Sequence, residues 1–104
     1  MTILLNTDKN ISGNERLEAY VNETIQEELA RFDDDITRIE VHFSDENGPK
    51  EGPKDLRCML EARLANKQPI AVTSHANTLE KALSDSLDKL KASIKTIQSR
   101  MEKH

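Results

Sequence analysis

Apolar residues recur along this chain with two different periods. Leu17, Val21, Ile25, Leu29 and Phe32 step by three and four, as do Leu79, Leu83, Leu87, Leu90, Ile94, Ile97 and Met101. That spacing returns to one face of an α-helix every turn, so both stretches predict amphipathic helices, with Tyr20 beside the first stripe. Between them the period falls to two. Ile39, Val41 and Phe43 alternate with Arg38, Glu40 and His42 across Ile36–Ser44. Leu56, Cys58, Leu60, Ala62 and Leu64 alternate with Arg57, Met59, Glu61 and Arg63, and Ile70 and Val72 with Ala71, Thr73 and His75 across Ile70–Ala76. Alternation predicts strands buried on one face. The apolar run Ile3-Leu4-Leu5 predicts a further short strand, Thr2–Asn6.

Local chemistry sets the ends of these elements. Ser12 and Glu15 have the S-x-x-E spacing of a capping box, and Asn77 and Glu80 stand similarly before the second helix. Asp33-Asp34-Asp35 stops the first helix after Phe32, because acids at the negative end of a helix dipole are unfavourable. Asp45–Asp55 holds the near-repeat Gly48-Pro49-Lys50-Glu51-Gly52-Pro53-Lys54, which predicts a projecting, mobile loop. Ala65–Pro69 is short enough for a hairpin. The order β-α-β-β-β-α therefore predicts an α+β two-layer sandwich, with two helices packed on one face of a four-stranded mixed sheet. A right-handed first crossover makes strands one and two parallel. Residues 1–104 read as a single domain, whose other sheet face carries Arg38, His42, Arg57, Arg63, Thr73 and His75 among acids.

Composition narrows the chemistry. A chain of 104 residues can bury roughly 65% of its unfolded surface. With no Trp, one Tyr and two Phe, its core must be aliphatic. The lone Cys58 excludes an internal disulfide and fits a reducing compartment. The amino-terminal apolar run is too short for a signal peptide or a membrane span, so the expectation is a soluble cytoplasmic protein.

Charge changes the picture further. Residues 1–46 hold four Lys/Arg against twelve Asp/Glu, a balance of −8, while residues 47–104 hold eleven against seven, a balance of +4. The overall −4 is thus the sum of two opposed fields and leaves room for a polyanionic partner. Lys81, Lys89, Lys91, Lys95, Arg100 and Lys103 lie off the apolar stripe of the second helix. Lys81→Asp85 and Asp85→Lys89 read as solvated i,i+4 pairs, but from residue 89 onward five cations face one acid, Glu102. Such lysines and arginines supply phosphate contacts to nucleic acid. The open sheet face shows no outward aromatic for base stacking, so RNA would be met by shape and phosphate rather than by sequence.

Other chemistries find less support. Cys58 points to the core while His42 and His75 point outward, on strands separated by a third, so they do not make a tetrahedral metal site. His104 is expected to be unstructured. None of the common nucleophile, zinc-hydrolase or phosphate-loop motifs occurs. Glu40 and Glu61 share the open face with Arg38, Arg57 and Arg63, which suits cross-strand ion pairs better than acid–base work. No enzyme activity, cofactor or small-molecule substrate is expected.

Ordered segments of the chain resemble one family. Leu29-Ala30-Arg31-Phe32 with Ile36-Thr37-Arg38-Ile39-Glu40-Val41 is similar to its first-helix end and second strand, and Ala82-Leu83 with Leu87-Asp88-Lys89-Leu90 to the start of its second helix. His42–Gly48 and Asp55–Arg63 look like a shorter, ribosome-associated branch. The chain thus resembles the ribosome hibernation promoting factor, ribosome-associated inhibitor A and sigma-54 modulation protein family, in its short form. The resemblance implies the same fold and binding to the small ribosomal subunit between head and body, against 16S rRNA. It implies silenced translation in starved cells, with ribosome pairing promoted by some members.

By the same resemblance, Lys89 and Arg100 match basic positions of the second helix, while Ala92 and Thr96 stand at two others with Lys91 and Lys95 one residue away. The first helix departs, with Thr24, Glu27 and Glu28 where lysines are usual, leaving Arg31; Asp35 also replaces a common basic residue. The expected RNA-binding set is therefore Lys89, Lys91, Lys95 and Arg100, followed by Arg31, Arg38, Arg57 and Arg63. The expected partner is the small subunit, with no membrane and with self-association left open. The rival reading is a non-ribosomal protein-interaction module, using the acidic first helix and the Gly-Pro-Lys loop, or self-pairing through the open face or an edge strand.

Overall fold

In the computed structural model, which describes residues 1–50 and 52–102, the chain runs β1 (Thr2–Thr7), α1 (Glu15–Glu28), β2 (Ile36–Asp45), β3 (Leu56–Leu64), β4 (Ile70–Ala76) and α2 (Leu79–Glu102). Expectations for Glu51, Lys103, His104 and the side chains of Met101 and Glu102 lie outside the described residues. The sheet order is β1-β2-β3-β4, with β1 parallel to β2 and the later pairs antiparallel. This is the expected α+β layout.

The core is aliphatic, as a chain so poor in aromatics requires. Val21, Ile25 and Leu29 of the first helical stretch, Ile39, Val41 and Phe43 of β2, Cys58, Leu60 and Ala62 of β3, and Leu83, Leu87, Leu90 and Ile94 of α2 share one cluster, all nearly inaccessible to solvent. Each such Leu or Ile contributes about 1.5–3 kcal/mol by leaving water. Ala82 and Ser86 join the buried stripe of α2, and the Ser86 hydroxyl donates to the Cys58 carbonyl at 3.1 Å.

Four local details differ from the sequence reading. The α1 cap is Asn14, whose side chain accepts from the Leu17 amide, rather than Ser12. At α2 the cap is Thr78, whose hydroxyl accepts from the Lys81 amide at 3.1 Å, rather than Asn77. The first helix ends at Glu28, and a 3-10 turn at Ala30–Phe32 carries Leu29 and Phe32 on into the core. A bulge at Thr37, between the pairs Ile36↔Leu64 and Arg38↔Arg63, turns Ile36 inward together with Ile39.

The Asp45–Asp55 connection is tied at its base. Asp45 Oδ1 accepts from the Gly48 amide at 2.9 Å, and the Asn47 amide group donates to the Pro53 carbonyl at 3.0 Å. Gly48 takes φ +59°, a left-handed value that glycine adopts without strain. In the β3–β4 hairpin, Asn66 takes the same region at φ 61°.

Candidate nucleic-acid interface

α2 rests its apolar stripe on β3 and β4 and turns Lys81, Lys89, Lys95 and Arg100 to solvent. These cations are not equivalent. Lys81 is held by Asp85 at 3.2 Å. That leaves Lys89 without its expected Asp85 partner; instead its ammonium reaches over β4 and donates to the Thr73 carbonyl at 2.6 Å. Lys91, with its side chain 23% exposed, bridges the helices by pairing with Glu28 at 3.0 Å and also lies 3.8 Å from Asp88. Lys95 and Arg100 are exposed and have no carboxylate partner among the described residues.

The other candidates sit elsewhere. Arg38, Arg57 and Arg63 project from the opposite sheet face, so the sheet separates them from α2. There the register sets like against like, Arg38↔Arg63 and Glu40↔Glu61. Like charges directly opposite repel, so the ion pairs run along each strand rather than across strands: Arg38–Glu40 at 2.6 Å and Arg63–Glu61 at 3.8 Å. Arg57 lies 3.7 Å from Glu46. Arg31 stacks on the Phe32 ring, 5.0 Å from its centroid, at the junction of the first helix with β2. The eight predicted cations therefore form no single surface.

One cation escaped the sequence reading. The hairpin brings Lys67 to a depression of about 190 Å³ shared with Ile94, Ile97 and Gln98, beside the carboxyl-terminal half of α2. Nothing in the sequence signals this, because it depends on how the hairpin docks. Asp35 lines the same depression and accepts from Gln98 at 3.2 Å.

The remaining polar groups are structural in geometry. Burial pushes the Cys58 thiol up to about 11, against smaller opposing pulls from Ser86 and the Arg57 charge, so it stays a neutral core group. His75 Nδ1 meets Asp55 Oδ1 at 2.9 Å, and His42 lies two strands away. Among the described residues, no cluster of three His, Cys, Asp or Glu is placed to hold a metal ion, and no helix is long and apolar enough to cross a membrane.

The fold and its charges define a small two-layer α+β module with an acidic first helix and a cationic end on the second. The chain belongs to the sigma 54 modulation protein / S30EA ribosomal protein family, whose model matches residues 6–102. Among solved structures it is similar to the N-terminal domain of Protein Y from Thermus thermophilus, with a TM-score of 0.73 at 16% identity, covering 93% of this chain and 99% of that one. It is similar also to a ribosomal subunit interface protein from Coxiella burnetii, with a TM-score of 0.73 at 14% identity, covering 95% of this chain and 99% of the other. Comparison with curated proteins returns no match.

Proposed function

We propose that this chain is a ribosome-associated factor that binds the small subunit through 16S rRNA phosphates and lowers translation, favouring ribosome hibernation under starvation. Family membership over residues 6–102 carries this reading. The name of the similar Coxiella burnetii protein, a ribosomal subunit interface protein, supports the same partner. The role is one of occupancy in the cytoplasm, without catalysis, cofactor or small-molecule substrate.

The geometry ranks the contacts. Lys95 and Arg100 lead, because their charges have no carboxylate partner among the described residues. Lys67 joins from the hairpin. Lys89 and Lys91 contribute less, since moving them to phosphate costs the Thr73 and Glu28 contacts already made. Arg38, Arg57 and Arg63 contribute least, facing away and paired. The acids of α1 repel phosphate and so orient the molecule with the far end of α2 toward RNA.

Sedimentation of the tagged chain with isolated small subunits across a salt series tests this. With two or three phosphate contacts, log affinity should fall with log salt at a slope of about −2. Absence of the chain from the subunit peak at low salt would overturn the reading.

A further inference from the structure

The sheet has two edges, and they are treated differently. On β4 the Lys89 ammonium occupies the Thr73 carbonyl at 2.6 Å, a charged block of the kind that keeps other strands from pairing. The β1 edge, Thr2-Ile3-Leu4-Leu5-Asn6-Thr7, carries no charge and no proline. Its parity follows from one bond: the Asp8 amide donates to the Phe43 carbonyl at 3.1 Å. In a parallel ladder alternate residues bond to the neighbour, so Thr2, Leu4 and Asn6 face β2 while Ile3, Leu5 and Thr7 turn N–H and C=O outward. Among the described residues, no backbone group beyond β2 satisfies those three.

A seam runs along this edge. At one end a depression of about 390 Å³ is lined by Leu5, Thr7, Asn14, Glu15 and Glu18. At the other, one of about 400 Å³ is lined by Met1, Gln26, Ala30 and Asp33. α1 therefore lies along the edge from Thr7 toward Met1 and gives the seam an acidic wall. The length suits an added strand of about six residues, with every second side chain directed into the seam.

We propose that the β1 edge takes up an extended, lysine- or arginine-rich segment of a partner protein as a fifth strand, seated against Glu15 and Glu18; Asp33, at the other end, is already paired with the Met1 ammonium at 3.7 Å. The open backbone supplies the pairing, and the acids choose the partner's charge. A second copy of this chain is disfavoured, because Thr2–Thr7 holds no cation, the Met1 ammonium beside it is already paired with Asp33, and the acids Glu15 and Glu18 of the two copies would face each other. RNA is repelled by the same wall. This site uses none of the α2 cations and does not rest on the ribosome reading.

The test uses the full chain and three fluorescein-labelled heptapeptides: alternating Lys and Val, alternating Glu and Val, and the Lys-Val peptide with a central proline. Fluorescence anisotropy should show binding of the first alone, with the Ile3, Leu5 and Thr7 amides gaining protection from hydrogen exchange. Neutralising the wall with Glu15→Gln and Glu18→Gln should weaken it about ten-fold. Ile3→Pro removes an outward N–H without touching the β2 ladder and should abolish binding while thermal unfolding still reports a folded chain. Equal binding of the Glu-Val or proline peptide, or Lys-Val binding without protection at Ile3 and Leu5, would overturn the proposal. So would protection of those amides that grows with protein concentration alone, which would assign the edge to a second copy.

Discussion

α1 and α2 do the same mechanical work with opposite surfaces. Each lays an aliphatic stripe on one sheet face, and Val21, Ile25, Leu83, Leu87 and Leu90 are all at most 1% exposed. Their backs diverge: Glu15, Glu18, Glu23, Glu27 and Glu28 on α1, against Lys81, Lys89, Lys91, Lys95 and Arg100 on α2. Packing therefore determines where each helix lies and leaves its solvent side free to suit a partner. Within α2 the same logic repeats on a smaller scale. Its early cations are engaged inside the molecule, by Asp85, Thr73 and Glu28, whereas Lys95 and Arg100 have no carboxylate partner among the described residues.

If the two stripes are equivalent, cutting either should cost the same. Ile25→Ala and Leu90→Ala should each lose about 3 kcal/mol, read from urea unfolding midpoints. A loss confined to one helix would break the equivalence. A second probe lies beneath α2, at Cys58. Its thiol is held neutral to higher pH than in the unfolded chain, so the unfolded state loses the proton first. Stability should be full below pH 9.0 and fall as pH rises toward about 11, by on the order of 1–3 kcal/mol. Cys58→Ala should flatten that decline.

The backs should behave differently. Glu23→Lys with Glu27→Lys should leave stability within about 0.5 kcal/mol. The same change should raise small-subunit affinity about ten-fold at low salt, by removing long-range repulsion of the RNA. The smallest effect belongs to the Glu28–Lys91 ion pair, which joins the helices. A double-mutant cycle on Glu28 and Lys91 should return a coupling of about 0.5 kcal/mol, because both groups retain water.

Much of this was legible from periodicity. The bounds of β3 and β4 follow directly from strict alternation between turn residues. The Thr37 bulge did not show, because it is a property of the pairing with Leu64 and Arg63 rather than of β2 alone. The end of α1 was hidden for a related reason: a 3-10 turn keeps Leu29 and Phe32 three apart, as a helix would. The caps were displaced because S-x-x-E spacing is met at Ser12, while the capping Asn14 has Leu17 three residues on. Of the candidate site, the basic back of α2 was readable, but the tie from Lys89 to Thr73 was not. A backbone carbonyl sixteen residues away leaves no mark in a sequence.

The most direct measurement compares the parent with Lys95→Glu/Arg100→Glu in small-subunit sedimentation across the salt series. The paired reversal should abolish co-sedimentation near physiological salt and make the residual salt slope shallower by about two. Undiminished binding by that variant, with loss instead on reversing Arg38 and Arg63, would place the ribosome-facing surface on the other side of the sheet and contradict the account.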